Sequence, residues 1–196
     1  MRWLATFGVG LAVIVVVLGA FTRLVDAGLG CPDWPSCYGH LLWPDTEAEI
    51  ANAEQAFPHA PVDLDKTWPE MVHRYFAGSL LLLVMLMNLV AWRQSGSTPE
   101  SAPAGHADVT GLVRVLLVLI VCQAAFGAWT VTLKLWPQVV TAHLLGGFAT
   151  LAMLWTIMLR CGGLSELRLS SQHRREIGGF AKLALAVVIV QVALGG

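Results

Sequence analysis

Five times along the chain, apolar residues run on for close to the length of a bilayer crossing. The stretches are roughly 3–21, 71–92, 112–133, 139–159 and 180–196. A spanning helix needs about 20 such residues. The pattern therefore predicts an all-α integral membrane protein: four transmembrane helices over residues 1–160, a linker over 161–179, and a fifth helix over 180–196. The one long polar interruption, about residues 24–68, is a loop outside the membrane. The first stretch lacks a small-x-small cleavage site near its end and reads as a retained helix rather than a removed signal. Of 196 residues, 56% are hydrophobic and only 13% charged, too apolar for a soluble domain. The net charge of −1 argues against a nucleic-acid partner and leaves membrane lipid as the surroundings.

The cations orient the spans. Arg2, Arg93, Arg114, Arg160, Arg168, Arg174, Arg175 and Lys182 flank one side; Arg23, Lys66, Arg74 and Lys134 flank the other. By the positive-inside rule the N-terminus and the segments 93–111 and 160–179 are cytoplasmic, and the loop 24–68 faces outward. With no Arg- and Ser-rich transit peptide in front, the expected location is a bacterial plasma (inner) membrane.

Three segments align without gaps: Val17-Leu18-Gly19-Ala20-Phe21-Thr22, Ala125-Phe126-Gly127-Ala128-Trp129-Thr130 and Ala193-Leu194-Gly195-Gly196. Gln123 and Gln191 precede the second and third at one offset. The next apolar helix after the first copy carries His73 near its start, and the one after the second carries His143. The unit reads as a repeated helix hairpin, with the third copy cut short. Internal repeats are common in membrane folds.

An imidazole at membrane depth is costly and is seldom kept without a job. His73 and His143, both near the outward ends of their helices, could face one another as axial ligands of a haem iron. For either alone, a hydrogen-bonded packing histidine is the competing reading. Small residues (Ala77 and Gly78 near the first, Gly146, Gly147 and Ala149 near the second) would let a helix or a flat macrocycle approach. Glu70 shares a face with His73 and could orient it or act on a bound substrate; as the third residue after Thr67 it could equally close a capping box, with Pro69 early in the helix. Arg74 suits a haem propionate or an interfacial anchor. His40, His59, His106 and His173 are placed in loops, the first two as weaker alternative ligands. Cys31 and Cys37, in the outward loop, suit a disulfide; metal ligation and free thiols are the rival readings. Cys122 and Cys161 have no evident partner.

The run Gly19-Ala20-Phe21-Thr22-Arg23-Leu24, continued by Ala27-Gly28-Leu29-Gly30-Cys31-Pro32-Asp33-Trp34-Pro35-Ser36-Cys37-Tyr38-Gly39, resembles the haem A synthase family, as do Glu70-Met71-Val72-His73-Arg74 and Ala142-His143-Leu144-Leu145-Gly146. The resemblance covers nearly the whole chain. It implies two pseudo-symmetric four-helix bundles, of which this chain holds the first and one helix of the second. It implies oxidation of the C8 methyl of haem O to a formyl group, with His73 and His143 at the substrate haem. Glu70 would stabilise a cationic intermediate or move protons, and Arg74 would lie beside the haem. The cysteine pair would help haem handling or electron entry. Ala20 stands where many members have Gly. The second histidine pair, which holds a haem b cofactor, is not in this chain, so the fragment alone is expected to be inactive. Haem O synthase and an electron donor are the implied partners, and an oligomer is compatible with the pattern. The alternative is a bis-histidine haem b protein that only transfers electrons.

Overall fold

The computed structural model describes residues 1–95, 106–162 and 171–195. It holds six helices: α1 (Arg2–Leu24), α2 (Glu47–Ala56), α3 (Leu64–Ser95), α4 (His106–Thr132), α5 (Pro137–Cys161) and α6 (Ser171–Gly195). All but α2 are long and apolar enough to cross a membrane, and no strand forms among the described residues. In hydrocarbon every backbone N–H and C=O needs an internal partner, which a helix supplies within itself.

Several boundaries differ from the hydropathy reading. The helix carrying His73 starts at Leu64, not near residue 71. Its first turns hold Asp65, Lys66 and Glu70, so an apolar run cannot reveal them. Pro69 accordingly lies inside the helix, while Pro137 takes the first-turn place in α5 where its missing N–H costs nothing. α6 starts at Ser171, well inside the segment read as linker. His106 and His173 lie in α4 and α6 rather than in loops.

α1 packs on α3 and α5, and α4 packs on the same two, so the four close a ring. Among the described residues α6 rests on α5 alone. One half of the ring is tightly filled. Ala5, Val9, Ala12, Leu80, Val84, Met87, Leu116, Leu154 and Ile157 form its core, and Gly8 admits Leu154 against the α1 backbone. Asn88 adds a polar tie at this end: its amide donates to Val84 O of its own helix and to Val113 O of α4, both at 3.0 Å. Trp3, Phe7, Leu82, Trp92 and Val118 point away from the ring. In water such a belt would be a liability; in a bilayer it is the lipid contact.

The other half of the ring is different. At the level of residues 140–147 every α5 side chain is only half-buried. The two helices entering this level, α1 and α4, end alike. Thr22 Oγ1 donates to Gly19 O (2.8 Å) and Thr130 Oγ1 to Gly127 O (2.7 Å). Ala27 N then returns to Thr22 O and Leu135 N to Thr130 O, both at 2.8 Å. Asp26 (φ 54°) and Lys134 (φ 49°) take the left-handed position in each end, the geometry of a Schellman-type stop. The repeat read from the sequence is thus repeated in backbone conformation.

Beyond this end lies the loop between α1 and α3, with a small core of its own: Cys31, Cys37, Tyr38, Ala53 and Met71, flanked by Trp43, Phe57 and Val62. The polar helix α2, which no apolar run announced, opens with a capping box. Glu49 N–H donates to Thr46 Oγ1 and the Glu49 carboxylate accepts from the Thr46 N–H. Those bonds hold the Glu49 carboxyl below its usual range. The loop docks on α3 through Gly30, whose α-carbon faces the Lys66 and Thr67 backbone so closely that a Cβ would run into it. Gly30→Ala should therefore lower stability by about 1–3 kcal/mol. A thermal melt of the detergent-solubilised protein checks this, and an unchanged midpoint would refute the close docking.

Candidate functional site

α3 and α5 bring His73 and His143 to equivalent places in the two hairpins. A Cβ on Gly19 would meet His73 Cε1 at 3.0 Å, and one on Gly127 would meet His143 Cε1 at 3.5 Å. Each imidazole is therefore backed by the glycine of the preceding repeat helix, which explains the aligned glycines. Equivalent backing gives the two rings equivalent places in their hairpins. Both keep a buried Nδ1 with no hydrogen-bond partner. An unmade buried hydrogen bond costs roughly 1–3 kcal/mol; the competing reading of hydrogen-bonded packing histidines finds no partner at either Nδ1, and on the His73 ring only the Val15 backbone.

Below each ring the next turn on the same face is small: Ala77 under His73 and Gly147 under His143. Nothing comes within 4 Å of a Cβ built on Gly147, so a flat ring could lie against that backbone. Gly78 is equally open, whereas Gly146 is filled by the Gln123 side chain. Among the described residues no group of three or more His, Cys, Asp or Glu gathers into a metal site. A haem iron asks for only two protein ligands, and the two rings fit that demand.

Glu70 does not close a capping box. Thr67 Oγ1 donates to Leu64 O, because α3 has begun before it. The nearly buried Glu70 carboxylate (6% exposed) instead accepts the Cys31 N–H at 3.0 Å and pairs with Arg74. Arg74 Nη1 donates to three carbonyls of the loop, Asp33 O (2.9 Å), Pro35 O (3.3 Å) and Ser36 O (2.7 Å). Cys31 and Cys37 are joined by a disulfide, which decides among the three readings of that pair. Asp33 organises the same turn. Its Oδ1 accepts the Tyr38 N–H (2.6 Å), and its Oδ2 accepts Ser36 Oγ–H (2.6 Å) and the Gly39 N–H (2.9 Å). Tyr38 donates to Pro61 O; burial and then the Asp33 charge push its phenol above the usual range. The α1 end joins α3 again through the exposed Asp26–Lys66 pair, of a kind that contributes little.

Sequence reasoning put both histidines, Glu70, Arg74 and the cysteines on the outward side; the structure joins Glu70 directly to Arg74 and Cys31 and sets each histidine against a repeat glycine. It missed Asp33, whose role depends on backbone groups, and the loop partners of Arg74, whose terminal nitrogens meet three loop carbonyls and Glu70. His40 and His59 stay in the loop. Cys122 and Cys161 are free thiols.

The model of the COX15-CtaA family, described as cytochrome oxidase assembly protein, matches residues 2–196. A Heme A synthase of Shewanella oneidensis is 39% identical over 196 residues, covering 100% of this chain and 56% of that protein. A Heme A synthase of Geobacillus thermodenitrificans is 24% identical over 139 residues, 70% of this chain and 35% of its own. One of Rhodospirillum centenum is 27% identical over 151 residues, 74% of this chain and 35% of its own. The chain thus spans between about a third and just over half of these relatives' lengths. No solved structure matches. With a family model matched across the chain and paired imidazoles backed by the repeat glycines, the chain belongs to the COX15-CtaA family of cytochrome oxidase assembly proteins.

Proposed function

We propose that the half-filled end of the bundle takes haem O between α3 and α5, with His73 and His143 on its iron, and that the protein oxidises the C8 methyl to a formyl group in haem A biosynthesis. The observation that carries the reading is the matched pair of imidazoles, each glycine-backed and each with a buried, partnerless Nδ1. The Heme A synthases it resembles point the same way. The bound haem supplies the iron and the ring whose methyl is oxidised. The chain supplies placement. The histidines set the depth and tilt of the macrocycle, and Gly147 gives it a flat wall. Glu70, one turn from His73, holds or moves a proton near the ring edge. Arg74 keeps Nε–H and one Nη2 proton for a propionate, five donors being the guanidinium's full inventory.

This end of the bundle, with the loop 24–68, faces outward in a bacterial plasma membrane, and the N-terminus is cytoplasmic. A haem b site belongs to the part of the relatives that this chain does not span, as do the second bundle and full activity. Methyl to formyl is a four-electron oxidation that gains one oxygen atom; dioxygen as oxidant, a separate electron donor that reduces the remaining oxygen to water, and haem O synthase as supplier complete the reaction. A bis-histidine electron-transfer protein is the second reading, favoured by the engagement of Glu70 with Arg74 and Cys31. The two separate cleanly. Membranes carrying the full-length protein and a haem O source should yield a formyl haem on extraction. Recovery of unmodified haem O beside a spectrally normal low-spin haem would leave only electron transfer.

A further inference from the structure

Asp33 lies outside every motif that names a ligand or an acid–base group, yet three bonds converge on its carboxylate from Ser36, Tyr38 and Gly39. These bonds fold the segment between Cys31 and Cys37 back on itself. The fold turns three successive-region carbonyls, those of Asp33, Pro35 and Ser36, onto one nitrogen of Arg74. The other terminal nitrogen of Arg74 holds Glu70. The Cys31 N–H, from the same loop, holds the second Glu70 oxygen.

From this chain of contacts we infer that Asp33 is a positioning residue for Glu70. It acts through the disulfide loop and Arg74, without touching the haem. Two arms meet at Glu70: the Arg74 guanidinium, whose place is set by the loop carbonyls, and the Cys31 N–H, whose place is set by the loop itself. Both arms depend on the loop being wound, and Asp33 winds it. Asparagine at this position keeps one acceptor but turns the other into a donor, so it cannot receive the Tyr38 N–H on one side and the Ser36 hydroxyl and Gly39 N–H on the other. The loop stays tethered by its disulfide, but its carbonyls lose their common focus. Glu70 then loses its fixed direction, while the histidines, backed by Gly19 and Gly127 rather than by this loop, keep their places. The inference rests on the reading of Glu70 as the proton-handling group at the haem.

The test is a double-mutant cycle in the full-length protein, with haem A measured in extracts and the low-spin haem spectrum measured on the same membranes. Asp33→Asn should lower haem A formation ~10-fold, since small misplacements of a working group are costly, while the bis-histidine spectrum stays. In a Glu70→Gln background the same change should cost less than ~2-fold, because groups acting as one unit are non-additive. A merely structural aspartate would instead produce losses that multiply, and this outcome overturns the inference. So does an Asp33→Asn protein with unchanged haem A formation. If Asp33→Asn fails to insert, Ser36→Ala, which removes a single contact from the same carboxylate, carries the cycle with the same criterion. Should Glu70→Gln alone leave haem A formation unchanged, the role given to Glu70 falls, and the positioning role with it. A spectrum lost in Asp33→Asn would place the residue with haem binding and also overturn the inference.

Discussion

Alanine at His73, or at His143, in the full-length protein is expected to abolish haem A formation and the low-spin spectrum of this site while leaving the protein inserted. The size follows from ligation. Loss of a residue that merely orients a ligand costs ~10–100-fold, so loss of a ligand itself should exceed ~100-fold. The stability readout is as telling as the activity. Neither imidazole has a protein partner at Nδ1, so in the haem-free state neither substitution removes a hydrogen bond there. The melt of the haem-free variants should stay near that of the parent, and the space left beside Gly19 or Gly127 should accept added imidazole and regain a six-coordinate spectrum. A packing histidine would give the reverse: a clear drop in stability and normal haem A. Normal haem A in either variant would sink the proposed site.

Glu70→Gln is expected to cut turnover ~100-fold, the scale of a lost acid–base group, with haem retention little changed. Glutamine keeps an oxygen for the Cys31 N–H but cannot pair with the Arg74 charge. Arg74 still has its three loop carbonyls, so the loop remains docked. Haem content, extracted haem A and the amount of inserted protein must be compared in one preparation. A parallel fall of all three would mean that Glu70 holds the structure and does no chemistry.

The spans and the paired histidines were legible because both are one-dimensional signals. A bilayer demands long apolar runs, and an imidazole inside one stands out. Glycines 19 and 127 were legible as a repeat, but their contact with the rings was not, since alignment says nothing of what a missing Cβ makes room for. The start of α3 was hidden for a physical reason: its first turns project beyond the apolar layer and carry the charges of Asp65, Lys66 and Glu70. Thr67 and Glu70 have the spacing of a capping box, but Thr46 and Glu49 form the real one, because only there does the chain enter a helix from extended backbone. Arg74 and Asp33 were the hardest to read. Their partners are carbonyls and N–H groups, which every residue possesses and no sequence pattern marks.

The tie made by Asn88 sits at the opposite end of the bundle, 15 residues from His73, or ~22 Å along a helix axis. A hydrogen bond of this type between helices in a membrane is worth only ~0.6 kcal/mol on average. Its geometric effect is larger than its energy. The amide reaches one carbonyl on α4, Val113 O, and the neighbouring carbonyls stand at discrete heights, so α3 cannot drift along α4 by small amounts without breaking it. Asn88 therefore acts as a height gauge: the leaflet farthest from the paired imidazoles helps set the level at which one of them stands.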